Sequence, residues 1–258
     1  MTSTLSYSSE GQGKTLVFIH GFCETTEIWH YFKNYFTRGY HVICVDLPGF
    51  GGSKGIGDQT TIENFASSLN TTLKSIGIEK PILIGHSLGG YVALAYAEMY
   101  PTELEGICLF HSTAFEDLPE KKENRNKTID YVEKHGVDAF CNPFVPGLFF
   151  HRRREELKEQ IQYVLKIARK TSLESIVNTT RAMRDRKDRT NLLTKIQFPV
   201  AYIVGKEDTA VTFDKSLAQC HLATQSQVLF LGNTAHMGMF EREKECADFL
   251  MGFIQGVF

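Results

Sequence analysis

The sequence has no run approaching the roughly eighteen apolar residues that a membrane span requires, and no C-x-x-C pair among its six cysteines. The first absence argues against a membrane-spanning helix. The second leaves zinc-site and thioredoxin-like readings without support. Cys23, Cys44, Cys108, Cys141, Cys220 and Cys246 are scattered, and Cys44 and Cys108 lie inside apolar runs, as small core residues do. Charge of one sign is lacking as well: 28 Lys and Arg stand against 30 Asp and Glu. A dedicated nucleic-acid binder is strongly basic, so no nucleic-acid partner is expected. The opening residues 1–7 carry neither a basic stretch nor an apolar core, which argues against a secretory signal. Scattered cysteines and no such signal predict a reduced, cytoplasmic protein. No internal repeat or low-complexity tract interrupts the chain, and nothing in it sets an oligomeric state.

What is present is a core-forming composition, 42 % apolar and 22 % charged over 258 residues. That length suits one large α/β domain, or such a domain carrying an inserted lid. Short apolar or β-branched runs recur, each closed by a Gly, Pro or Asp turn: residues 15–19, 41–45, 81–84, 104–110, 200–204 and 227–231. Segments of helical period lie between most of them. Trp29, Phe32 and Phe36 are spaced i, i+3, i+7; Ile62, Phe65, Leu69, Leu73 and Ile76 keep the same face; a last helix is expected from Met239 to Phe253. Continuous apolar strands alternating with helices predict a mostly parallel central sheet flanked by helices.

One interval breaks the alternation. Residues 113–195 contain no convincing core strand and read as helices, for instance over 128–135 and 155–170. This predicts a core of residues 1–112 and 196–258 with a helical cap at 113–195. The interval carries 18 Lys and Arg against 13 Asp and Glu, whereas the remainder has 10 against 17. The excess reads either as ordinary solvated helix faces or as a lid favouring anionic substrates. Phe140, Phe144, Phe149 and Phe150 form the cap's own core or line an acyl pocket, and His151-Arg152-Arg153-Arg154 reads as a solvated helix start.

The most informative stretch is Gly85-His86-Ser87-Leu88-Gly89, between an apolar strand and a helix rich in alanine. A serine between two glycines at a strand-to-helix turn is a nucleophile elbow: the turn is so tight that its flanking positions tolerate almost no side chain. A serine hydroxyl needs a base within hydrogen-bond reach, and the base needs an acid to orient it. The chain order on such a sheet is Ser, acid, His. Asp208, on the loop after 200–204, is the acid expected, with Glu207 and Asp117 as competitors. His236 is the base expected, because it alone among the histidines follows the last strand. His20, His86 and His111 also lie near strand ends and read as structural or pocket-lining. Two backbone donors complete the expected site: the N–H of Leu88, directly after the serine, and that of Phe22 in His20-Gly21-Phe22-Cys23.

Together with Asp46-Leu47-Pro48-Gly49-Phe50-Gly51-Gly52-Ser53, a run expected to shape a loop rather than react, these stretches resemble the α/β-hydrolase fold superfamily from Thr15 to Phe253. Size and cap resemble the small carboxylesterases and thioesterases of the pimeloyl-ester esterase and menaquinone-pathway synthase types, as does the segment at residues 182–188. Dehalogenases and epoxide hydrolases of this fold use an aspartate where this chain has Ser87, which argues against both activities. The resemblance implies a serine hydrolase acting on a small-molecule ester or thioester, with Ser87, Asp208 and His236 catalytic, Phe22 and Leu88 forming the oxyanion hole, and no metal or organic cofactor. Carbon–carbon bond hydrolysis, a lyase step or acyl transfer on the same residues, or a non-catalytic ligand-binding role, stand as the alternatives.

Overall fold

A computed structural model describes residues 4–257. Its frame is a single sheet. The strands are β1 (Tyr7–Glu10), β2 (Thr15–Ile19), β3 (His41–Val45), β4 (Ile82–His86), β5 (Gly106–Phe110), β6 (Val200–Gly205) and β7 (Ser226–Leu231). They lie in the order β1-β3-β2-β4-β5-β6-β7. β1 pairs antiparallel with β3, and every other pairing is parallel. The central strands β4, β5 and β6 are buried along their whole length. That is the burial expected of continuous apolar strands covered on both faces.

The helices are α1 (Ile62–Ser75), α2 (Leu88–Met99), α3 (Pro119–Gly147), α4 (Lys158–Ala168), α5 (Leu173–Arg184), α6 (Thr190–Leu193), α7 (Phe213–Gln219), α8 (Gly238–Glu241) and α9 (Glu243–Val257). α2 is buried on almost every side, so its sequence is apolar throughout instead of striped. α1 keeps one apolar face and starts at Thr61, whose side chain accepts from the N–H of Asn64.

The structure adds one strand and alters two readings, and it extends a third. β1 escapes the sequence because it is an exposed edge strand of four residues with no apolar alternation. The stretch around Trp29 to Phe36 is not an α-helix but two short 3-10 turns, Thr26–Trp29 and Phe32–Tyr35. Its bonds close i→i+3, as in His30 N–H to Glu27 and Phe36 N–H to Lys33. Packing explains the outcome, since Trp29, Phe32 and Phe36 all bear on Phe18 of β2, with ring centroids 5.1, 6.3 and 5.7 Å away. The expected terminal helix is divided at Arg242, whose backbone leaves the helical region (φ −143°, ψ 51°). The expected helix over 128–135 is part of the longer α3, kinked where Gly136 takes φ 83°.

Ion pairs tie the helices between β5 and β6 to one another and to α1 and α2. Arg186 lies 2.8 Å from Asp117, which also meets Arg125 at 3.0 Å. The Arg186 guanidinium sits 4.2 Å over the ring of Tyr91 on α2. Arg189 reaches Glu63 of α1 at 2.7 Å and Glu98 of α2 at 3.1 Å. Breaking a buried pair strands a charge in a place water does not reach, at a cost of about 3–5 kcal/mol. Asp117→Ala is therefore expected to lower the unfolding free energy by about that much in urea titration. A loss below about 1 kcal/mol would show that the helices between β5 and β6 do not depend on this pair.

Candidate active site

Ser87 stands between β4 and α2 with φ 50° and ψ −110°, a conformation that L residues rarely adopt. Holding it costs about 1–3 kcal/mol, so its surroundings must over-determine it. They do. The Ser87 N–H donates to the carbonyl of Phe110 at 2.9 Å, and its own carbonyl accepts from the Ser112 hydroxyl at 2.7 Å and the Gly90 N–H at 3.0 Å. A Cβ at Gly85 would strike the backbone of Gly89 and Gly90, one at Gly89 would strike the end of β2, and one at Gly90 would strike Ser112. Three glycines, one more than the elbow pattern demands, thus let β2, β4 and the start of α2 close on one another. Ser87 is half-buried, with buried neighbours on either side. It heads α2, whose first N–H groups give that end a partial positive charge.

Asp208 and His236 come together from the loops after β6 and β7. His236 Nδ1 lies 2.7 Å from Asp208 Oδ2, and both side chains are buried. The other Asp208 oxygen accepts from the N–H groups of Ala210 and Val211 at 2.8 and 3.0 Å. Burial alone would raise the Asp208 pKa. The charge on His236, the neighbouring His111 ring and the His236 hydrogen bond outweigh it and hold the carboxyl far below the usual range. A carboxylate accepts only, so the bond fixes the proton on Nδ1 and leaves Nε2 bare in the neutral ring. The competing acids are spent elsewhere: Glu207 accepts from the Thr234 N–H at 3.0 Å, and Asp117 pairs with Arg186 as described above.

The loop carrying His236 is held on several sides. Its N–H donates to the Leu148 carbonyl at 2.9 Å. Glu241, which nothing in the sequence marked, accepts from the N–H groups of Ala235 and Met237 through one oxygen and of Phe150 through the other. Burial nonetheless pushes the Glu241 pKa up. Leu148 and Phe150 belong to the chain between β5 and β6, so that insert and the base loop share these bonds. A glutamate five residues after a loop histidine is the only signal that could have found it.

Phe22 lies in the turn after β2 and Leu88 in the first turn of α2. His20 determines how the Phe22 N–H points. Its Nδ1 donates to the Gly21 carbonyl at 2.7 Å while its Nε2 accepts from the Leu47 N–H at 2.9 Å. In a trans peptide the C=O and the following N–H point opposite ways, so fixing one fixes the other. One donated and one accepted bond make this ring neutral, and burial lowers its pKa. Asp46 ties the same region together, accepting from Thr26 and Gly52 N–H groups at 2.8 and 2.9 Å. The Phe22 side chain packs against Phe140 and Phe144 of α3, centroids 6.2 and 5.9 Å away, while Phe149 packs on Phe240. Arg153 is fixed by Glu156 and the Glu241 carbonyl, while Arg152 and Arg154 are exposed.

His111, with φ 49°, lies behind Asp208 at 3.6 Å. Burial lowers its pKa to about 4, so the ring is neutral near pH 7, and the Gly238 N–H donates to its Nε2 at 3.1 Å. His111, Asp208 and His236 offer one ligand atom each within 4.8 Å, a spacing that fits a cation. Hydrogen bonding accounts for that spacing, since Asp208 and His236 are bound to each other and His111 to the backbone.

The chain matches the family model described as alpha/beta hydrolase fold over residues 14–243. It is 27 % identical to a 2-hydroxy-6-oxononadienedioate/2-hydroxy-6-oxononatrienedioate hydrolase from Paraburkholderia phymatum, covering 96 % of this chain and 90 % of that one. It is 25 % identical to a monoacylglycerol lipase from Homo sapiens, covering 96 % and 77 %. A solved structure of a thermophilic esterase from Thermogutta terrifontis superposes with a TM-score of 0.93 at 27 % identity, over 98 % of this chain and 93 % of that one. No helix among the described residues is long and apolar enough to cross a membrane. A parallel sheet with one antiparallel edge, a serine on a strained strand-to-helix turn and a family match over most of its length make this chain a hydrolase of the α/β-hydrolase fold family.

Proposed function

We propose that this protein is a serine hydrolase cleaving an ester or thioester of a small to medium acyl group. The observation that carries the reading is the 2.7 Å bond between His236 Nδ1 and Asp208 Oδ2, formed from the two loops that chain order demands once Ser87 heads α2. Ser87 Oγ attacks the substrate carbonyl while Nε2 of His236 takes its proton. Asp208 holds the resulting imidazolium. The N–H groups of Phe22 and Leu88 stabilise the oxyanion, a contribution of about 3 kcal/mol for each well-placed donor. Collapse of the tetrahedral intermediate expels the alcohol or thiol with the proton from His236, leaving an acyl-Ser87. Water, deprotonated by His236, then releases the acid and restores Ser87. The helical stretch 113–195 acts as a lid, and its bonds to the His236 loop through Leu148 and Phe150 support that role. The second reading is carbon–carbon bond hydrolysis by the same residues. It draws on the relative named as a hydrolase of 2-hydroxy-6-oxononadienedioate.

Ser87→Ala is expected to lower kcat on p-nitrophenyl esters by roughly ten-thousand-fold or more, with unchanged folding and no labelling by a fluorophosphonate probe. Turnover near wild type would overturn the assignment. The depressed pKa of Asp208 makes a second prediction. Its stabilising contribution is fully present above the ordinary carboxylate range and is lost as pH falls through the depressed value. The difference in unfolding free energy between wild type and Asp208→Asn should therefore be largest near neutral pH and shrink below about pH 4. A difference constant from neutral to acid would show that the carboxylate is not held by His236 and His111.

A further inference from the structure

His86 precedes the serine, and its ring is buried with both nitrogens engaged. Nδ1 lies 2.9 Å from Oε2 of Glu24, and Nε2 lies 2.9 Å from the backbone carbonyl of His236. A carbonyl oxygen only accepts, so Nε2 carries a hydrogen. An ionised carboxylate only accepts, so Nδ1 carries one too. A ring protonated at both nitrogens is an imidazolium, paired inside the protein with Glu24; their side chains are 1 % and 2 % exposed. The same Glu24 oxygen accepts the N–H of Gly21 at 2.6 Å. The pair fills the space beside that turn, since a Cβ on Gly21 would come within 2.7 Å of both Glu24 Oε2 and His86 Nδ1. One ion pair thus touches the turn bearing Phe22, the strand end bearing Ser87 and the loop bearing His236.

We propose that Glu24 and His86 are positioning residues: a buried carboxylate–imidazolium pair that locks the oxyanion turn at Gly21 to the backbone of the base His236. The proposal rests on the serine-hydrolase reading for its kinetic consequences, while the charge state of the ring does not. His20 holds the carbonyl of Gly21 and Glu24 holds its N–H, so the peptide planes on both sides of Gly21 are fixed. His86 carries that constraint to His236. A buried pair of this kind contributes less to stability than to a defined geometry, because desolvation offsets most of the attraction.

The electrostatics agree with the geometry. Burial would lower the His86 pKa, but the Glu24 carboxylate, the His236 carbonyl and the charge of Asp208 raise it. Burial would raise the Glu24 pKa, but His86 foremost, and the Gly21 N–H, bring it down. The titratable groups around the ring are Glu24 on the turn after β2, His20 at the end of β2, with Asp46 acting on His20, His111 after β5, and the Asp208–His236 pair. With the His86 pKa raised and the Glu24 pKa lowered, the pair persists from below the ordinary carboxylate range to above the ordinary histidine range. It is lost on the alkaline side as His86 gives up a proton.

The test is 15N NMR of histidine-labelled wild type, read beside ester turnover. One ring, assigned by the loss of its signal in His86→Asn, is expected to show both nitrogens protonated at pH 7, and its titration should coincide with an alkaline fall in kcat/KM. Glu24→Gln should neutralise that ring and lower kcat by roughly 10- to 100-fold with KM within about threefold, and Glu24→Asp should recover part of the loss. A neutral His86 ring in wild type at pH 7 overturns the proposal, whether or not the variants fold. So does a folded Glu24→Gln that keeps kcat within about twofold. Wild type that shows the imidazolium but takes up no fluorophosphonate would instead overturn the hydrolase reading and leave the ion pair standing.

Discussion

The rest of this structure depends on a backbone crossing at Ser87. To hold a serine at φ 50° and ψ −110°, the chain must bring the end of β2, the end of β4 and the first turn of α2 within contact of one another. Only glycine fits at positions 85, 89 and 90, and the conformation persists because Phe110, Ser112 and Gly90 bind both polar groups of the Ser87 backbone. Two of those partners come from β5 and the residues just after it. The parallel pairing of β4 with β5 is therefore part of the site and not only its support.

Around that crossing, the polar interior is arranged as directed hydrogen bonds whose donors and acceptors can be assigned. His20 gives one hydrogen and receives one, and is neutral. His86 gives two, and is charged. His111 is neutral because burial outweighs the neighbouring carboxylate. Three buried histidines within one site thus take different charge states according to the partners each one meets. Glu24, Asp208 and Glu241 are all buried, yet the first two are held ionised by imidazoles while burial shifts the third the other way.

Some of this was legible because it depends on local chemistry. The order of β2 to β7 follows from apolar runs closed by Gly, Pro or Asp, and the elbow follows from two glycines spaced around a serine. Other parts were not. β1 has no apolar face to announce it, and only its pairing with β3 makes it a strand. Trp29, Phe32 and Phe36 have a helical period, but contact with Phe18 selects 3-10 turns. Gly136 kinks α3 within an interval where the sequence shows helical content but not its axis.

What the sequence by itself determined is the alternation of strand and helix, and with it the position of Ser87, Asp208 and His236 after the ends of β4, β6 and β7. These follow from residue spacing along one chain, where side-chain period and glycine freedom act locally. What only the tertiary structure decided is which polar groups meet: His86 with Glu24 and the His236 backbone, Glu241 with Phe150, Arg186 with Asp117. Those partners are up to 150 residues apart in sequence, and a buried charge reveals its partner only when folding has removed the water around both.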